Sequence, residues 1–365
     1  MKQSFESAML LVAIGVSLLC AGCVRTFRPI AGIMHPGADR ALLIKASSWY
    51  PIVMLSVDEK SRTLHYISKD DVKDCYFIST YDYDGHLVKK TAFPKFSESC
   101  WQAFGYGAAY SGALSPDCTS VAYLDIQRRA DTTDNDLCWF DARTGGRKVL
   151  VKRLAAEGNY VEILCWVSDK ELLVAVDDPN KPDAHLLLLD IEKPTTLFDL
   201  HCGNLRAHQF ALSHSKRYLA YWEGLGRFDN RGSFKILDLH DKKEVAVTEV
   251  GEPATFAGPK WSAEDDALVY VMDNRLVRFS VLSKKSKVLN SFDPHLEIAL
   301  QAWQGERLYY MVEPRDTLNP IIRLHCFDLP SNQEYPLRNY PEGPFHVFVC
   351  ADGTMIYYIL GQERL

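Results

Sequence analysis

Glu162 and Glu297 are the residues of this chain that could do chemistry as a pair. Two carboxylates roughly 5–10 Å apart across a cleft suffice to hydrolyse a glycosidic bond, one protonating the leaving group and the other acting as base or nucleophile. Sequence spacing does not fix that distance, and two solvated charges are the ordinary alternative. His201, His208 and His214 lie close together in sequence and raise the question of a metal. Metal ligands must converge on one point, which these spacings do not promise. His214 falls in a turn facing solvent and His201 in an outer strand, so no metal site is expected. A serine nucleophile would need a G-x-S-x-G elbow and an α/β-hydrolase domain; the elbow does not occur in the sequence. Gly224-Leu225-Gly226 is half a dinucleotide fingerprint, but it lacks the third glycine and sits in a hairpin loop. It reads as a turn, and no cofactor is expected.

The cysteines offer less chemistry than their number suggests. Besides Cys20 and Cys23 there are Cys75, Cys100, Cys118, Cys138, Cys165, Cys202, Cys326 and Cys350, with no C-x-x-C spacing among them. An oxidising compartment would let some of them pair, in a connectivity the sequence does not give. Cys165 and Cys350 sit within apolar strand runs, where a thiol serves as a small hydrophobic group.

The elements that must position these residues are almost all strands. Amphipathic helical periodicity is scarce. Short runs of Val, Ile, Leu, Tyr and Phe alternate instead with Asp, Gly, Asn and Lys turns. The clearest unit spans Lys260 to Phe292, with four strands joined by turns at Ala263–Asp266, Asp273-Asn274 and Ser283–Ser286. Equivalent turns recur at Ser56, Ser115, Ser168, Ser213, Ser262, Gln304 and Cys350, at intervals of 42 to 59 residues. A four-stranded unit repeated at that period predicts an all-β chain, a β-propeller of four-stranded blades. Seven blades are expected, and the loose first intervals also allow six or eight. The last copy has two clear strands, so Ala41–Ala46 is expected to close the ring by adding to it.

In a propeller the innermost strands line a channel, and the residues where the chain enters them form one rim. The residues at those positions are Trp49, Tyr50, Tyr106, Tyr110, Tyr160, Glu162, Arg206, His208, Gln209, Glu297, Phe345 and His346. Aromatic surface mixed with a few charges suits recognition. The candidate binding set is Tyr50, Tyr106, Tyr160, Glu162, Arg206, His208, Glu297 and His346. The alternative for each is packing between blades.

The Ser115-Pro116-Asp117 turn before an Ala-Tyr strand, with the recurring strand–Asp-x-x-x-Gly–strand, resembles the repeats of TolB-type β-propellers over about Ser48 to Leu360. Only Ser115-Pro116-Asp117 and Asp352-Gly353 keep the key residues of that motif. The namesake of the family carries an α/β domain before its propeller. About 20 residues separate Cys23 from the first strand, too few for that domain, so the namesake's partner is not carried over.

At the N-terminus, Lys2 precedes an apolar stretch from Ala8 to Leu19, of signal-peptide length and short for a membrane span. Leu19-Cys20-Ala21-Gly22-Cys23 resembles the lipobox of bacterial lipoproteins. That resemblance implies cleavage before Cys23, lipidation of Cys23, and a membrane-tethered mature chain outside the cytoplasm. Val24 stands where an Asp would retain the protein at the inner membrane, which implies the outer membrane, facing periplasm or surface. The expected division is a signal peptide at 1–22, a tether at 23–40 and the propeller at 41–365.

A hydrophobic fraction of 47% places the chain among globular proteins, and a net charge of −6 without a basic stripe excludes nucleic acid as a partner. The expectation is a lipid-anchored, non-catalytic envelope propeller that binds a protein or glycan. The alternative is a propeller hydrolase acting on a glycan, lactone or peptide in the channel.

Overall fold

The computed structural model describes residues 24–27, 41–45, 54–58, 61–70, 75–82, 86–93, 112–128, 133–155, 160–177, 184–193, 195–202, 204–225, 231–248, 251–252, 258–315, 322–340, 345–349 and 355–359. Every regular element among them is a strand. The first described elements are β1 (Val24–Phe27) and β2 (Ala41–Lys45). Blade one follows as β3 (Met54–Asp58), β4 (Thr63–Asp70), β5 (Cys75–Asp82) and β6 (Leu87–Phe93). Blade two is β7 (Gly112–Leu114), β8 (Ser120–Arg128), β9 (Thr133–Asp141) and β10 (Arg147–Ala155). Blade three is β11 (Tyr160–Trp166), β12 (Glu171–Asp177), β13 (Ala184–Asp190) and β14 (Thr195–Cys202). Blade four is β15 (Asn204–Leu212), β16 (Tyr218–Gly224), β17 (Gly232–Asp238) and β18 (Lys243–Val247). Blade five is β19 (Lys260–Trp261), β20 (Ala267–Met272), β21 (Arg275–Ser280) and β22 (Lys285–Ser291). Blade six is β23 (Leu296–Gln304), β24 (Arg307–Pro314), β25 (Ile322–Asp328) and β26 (Gln333–Tyr340), before β27 (Phe345–Val349) and β28 (Met355–Ile359).

Six blades are thus meanders of four consecutive strands. A seventh four-stranded sheet joins the two chain ends in the order β1-β2-β28-β27. Ala41 to Lys45 pairs in parallel with Met355 to Ile359, the addition expected of this stretch. Val24–Phe27, inside the stretch expected to be a tether, pairs antiparallel with β2 and makes the fourth strand. The first strand of each blade neighbours the first strand of the next, from β3 through β7, β11, β15, β19 and β23 to β27. This is a β-propeller.

Alternation explains why the middle strands are apolar on both faces. All six residues of β20 are buried. Leu268, Tyr270 and Met272 pack with Trp222, Phe234 and Ile236 of blade four. Ala267, Val269 and Val271 pack with Ile298, Leu300 and Tyr310 of blade six. A strand covered on both faces has no place for the polar half of an amphipathic pattern. The outermost strand β22 has no blade beyond it and is largely exposed.

Two kinds of tie cross between blades at the end of the channel where the inner strands finish. The Trp166 indole donates to the Ala113 carbonyl of the preceding blade at 3.0 Å, and Trp261 donates to Ala211 at 2.9 Å. The second tie lies in the first turn of blade five. Such turns are closed by a serine hydroxyl that accepts a later backbone N–H: Ser115 from Ser120, Ser213 from Tyr218, Ser262 from Ala267. Each holds one residue at positive φ, namely Cys118, Lys216 and Asp265. Asp265 reaches back to blade four, where its carboxylate accepts the N–H groups of His214 and Ser215.

The hairpin between third and fourth strands repeats as well. Asp141, Asp190, Asp238 and Asp328 each end a third strand and accept turn N–H groups. Gly145, Lys242 and Asn332, each four residues after one of these aspartates, take positive φ. These carboxylates close turns, which accounts for them without any role in catalysis.

Candidate functional site at the inner strands

The inner strands carry most of the residues expected at the rim. Tyr160 and Glu162 lie at the start of β11, Arg206 and His208 in the first five residues of β15, and Glu297 and His346 second in β23 and β27. The ties at Trp166 and Trp261 join nearly equivalent rungs of neighbouring inner strands, so those strands run in one direction and begin at one end of the channel. The strand of Tyr160 and Glu162 neighbours the strand of Arg206 and His208, and the strand of Glu297 neighbours that of His346. Cys23, Tyr50 and Tyr106 lie outside the described residues, as do Trp49 and Tyr110.

Glu162 and Glu297 are not on neighbouring strands, because β15 and β19 lie between β11 and β23. The residue directly opposite Glu297 is Glu313 on β24. Ile298 and Leu300 face blade five, so by alternation Glu297 and Glu313 share the other face, toward β27. Burial pushes the Glu297 carboxyl above its ordinary value, and Glu313 adds to the rise while Arg315 opposes it. Burial raises Glu313 too. Two carboxyls on facing rungs disfavour each other's charge, and a carboxyl with a raised pKa is the better proton or hydrogen-bond donor.

The histidine, glycine and cysteine candidates lie in turns and strands of the blades. His214 is exposed in the first turn of blade four, with Nδ1 3.4 Å from Asp265. Gly224 ends β16 as the chain enters the hairpin loop. Cys118, Cys138, Cys165 and Cys326 are in no disulfide, and Cys138 and Cys326 are buried. Burial pushes the Cys165 thiol up to about 12 despite Lys216 nearby, so it is an inert apolar group at neutral pH.

No family model matches this sequence, and no curated protein is similar to it. Solved structures are. The β-propeller domain of Cps50 (Swd1) from Myceliophteria thermophila matches at 11% identity and a TM-score of 0.48, over 82% of this chain and 89% of that one. The tricorn protease matches at 11% identity and 0.47, over 90% of this chain and 44% of its own. A chain of a nidogen/laminin complex matches at 12% and 0.40, over 82% and 95%. At these identities the likeness concerns fold alone, and the propeller assignment rests on the strand topology.

One inner-strand residue was missed by the sequence reading. Lys260 is half-buried on β19, and burial lowers its ammonium to about 8. The available signal was a lysine in an inner strand, directly before a tryptophan.

Proposed function

We propose that this chain is a lipid-anchored propeller of the cell envelope that binds a protein or glycan partner, without catalysis, at the rim where its inner strands begin. The observation that carries this reading is that Tyr160, Glu162, Arg206, His208, Glu297 and His346 lie at or near the starts of four inner strands, β11 and β15 side by side and β23 and β27 side by side, with β19 between the two pairs. An aromatic and charged surface assembled from several blades gives a partner one anchor region with a few specific polar contacts. Propellers commonly serve as such modules, since the ring holds its loops on a rigid scaffold.

The anchor is assigned to Cys23 on its Ala21-Gly22-Cys23 context behind an apolar stretch. β1 begins at Val24, so a lipid on Cys23 would hold the seventh sheet directly against the membrane, with the outer membrane favoured. Metabolic labelling with a palmitate analogue tests this: wild type is labelled and Cys23→Ala is not. Equal labelling of both removes the anchor from the proposal.

A further inference from the structure

The junction between blades five and six differs from its neighbours at the end of the channel where the inner strands finish. Trp303 pairs with Leu308, the rung at which Trp166 pairs with Leu172 and Trp261 with Leu268. Its indole does not cross to the preceding blade; it donates to Gly305 of its own turn at 2.9 Å. That turn is also shorter. Gly305 and Glu306 alone separate β23 from β24, whereas five residues separate β19 from β20. The residue at positive φ in the short turn is Gly305, which has no side chain to reach back as Asp265 does.

Lys260 stands at this junction. It pairs with Val269 at the rung where Ala211 pairs with Ala220 and Ala113 with Ala122, so it replaces the small residues that receive the indoles elsewhere. Val269 lies opposite Arg278, and Arg278 opposite Lys287. Directly opposite residues share a face, and Val269 belongs to the cluster between blades five and six. Lys260, Arg278 and Lys287 therefore form one row facing blade six. None of the three makes an ion pair among the described residues, and the Arg278 guanidinium lies over the Trp303 ring at 5.6 Å. A half-buried ammonium without a counter-charge among the described residues is costly, and an anion offsets that cost.

We propose that this junction binds an oxyanion, the phosphate or carboxylate group of a small ligand, with Lys260 as its charge contact and Arg278, steadied on Trp303, as its second donor. Lys suits the role of point charge, and the guanidinium presents a planar fork to oxygen pairs. This site is at the opposite end of the inner strands from the proposed partner rim, so either can fail without the other.

Equilibrium dialysis and thermal melting of the full-length protein in detergent test it. The probes are inorganic phosphate and acetate, each against chloride at matched ionic strength. In wild type, one of the two anions binds saturably and raises Tm beyond chloride, and which one does so names the ligand class. Lys260→Met and Arg278→Gln each weaken that binding by about tenfold or more, as expected for losing a hydrogen bond to a charged group. Lys284→Ala, in an exposed turn, leaves it unchanged. Without anion, Lys260→Met melts at or above wild type, because an uncompensated charge has gone; a simple structural lysine would leave it less stable. If Lys260→Met fails to fold, the structural role holds and the proposal is overturned. Neither anion binding beyond chloride, or binding equal in wild type, Lys260→Met and Arg278→Gln, also overturns it.

Discussion

The Asp265 carboxylate accepts the backbone N–H of Ser215 across the junction of blades four and five at 2.7 Å, and its other oxygen takes the N–H of His214 at the same distance. Each blade of a propeller is held mainly by apolar faces, which fix spacing but slide easily along the strand direction. Two charge-assisted bonds from one side chain fix the register of one turn against the next.

Replacing Asp265 therefore loosens that junction. Burial raises the Asp265 pKa, but hydrogen bonds from Ser215, His214 and Ser213 more than offset this and hold it below the ordinary value. A folded-state pKa below the unfolded one stabilises at neutral pH, and that contribution disappears as pH falls through the lowered value. Asp265→Ala should lower stability by about 1–3 kcal/mol at pH 7 and also strain a backbone position at positive φ. Asp265→Asn should cost less, since Asn tolerates that conformation and keeps one acceptor. Urea unfolding at neutral pH and in acid reads both effects, and the gap between wild type and Asp265→Asn should shrink in acid.

Trp261→Phe removes the N–H that reaches Ala211 but keeps an aromatic ring in the core. The orphaned carbonyl should cost about 1–3 kcal/mol in urea unfolding. Trp303→Phe should cost less, because Gly305 is exposed and water can replace the indole. Equal losses would mean that the inter-blade bond carries no special weight.

Glu297 and Glu313 give the opposite pH signature to Asp265. Their folded pKa values lie above the unfolded ones, so wild type loses stability as pH rises past the ordinary carboxylate value. Glu297→Gln should gain on wild type as pH rises from about 4 to about 7. Parallel stability curves for the two proteins would show that the facing carboxyls do not repel.

Much of the ring is legible in the sequence, because blade turns carry local chemistry: a serine closing the first turn and an aspartate closing the last hairpin. The strand at Ala41–Lys45 could be anticipated from the incomplete last copy. Val24–Phe27 could not, since four residues beside an apolar targeting stretch carry no separate strand signal. Tyr160 is the first residue of β11 and Glu297 the second of β23, strand entries that the change from turn residues to an apolar run marks in the sequence. The carboxylate beside Glu297 was not foreseen, because Glu313 meets it through hairpin register and not through sequence proximity. The row of Lys260, Val269, Arg278 and Lys287 has the same origin. These residues recur nine positions apart, a spacing that means a shared face only once the two hairpin turns are known.

The most direct test of the proposed function is capture from an envelope extract by the full-length protein, comparing wild type with Tyr160→Ala/Arg206→Ala and with Lys242→Ala/Lys284→Ala. An aromatic or arginine hot spot is worth about 2 kcal/mol or more. The rim variant should therefore lose the partner that wild type retains while its Tm stays nearly unchanged, and the turn variant should capture like wild type. Capture abolished by the turn changes and kept by the rim changes would contradict the placement of the binding face at the start of the inner strands.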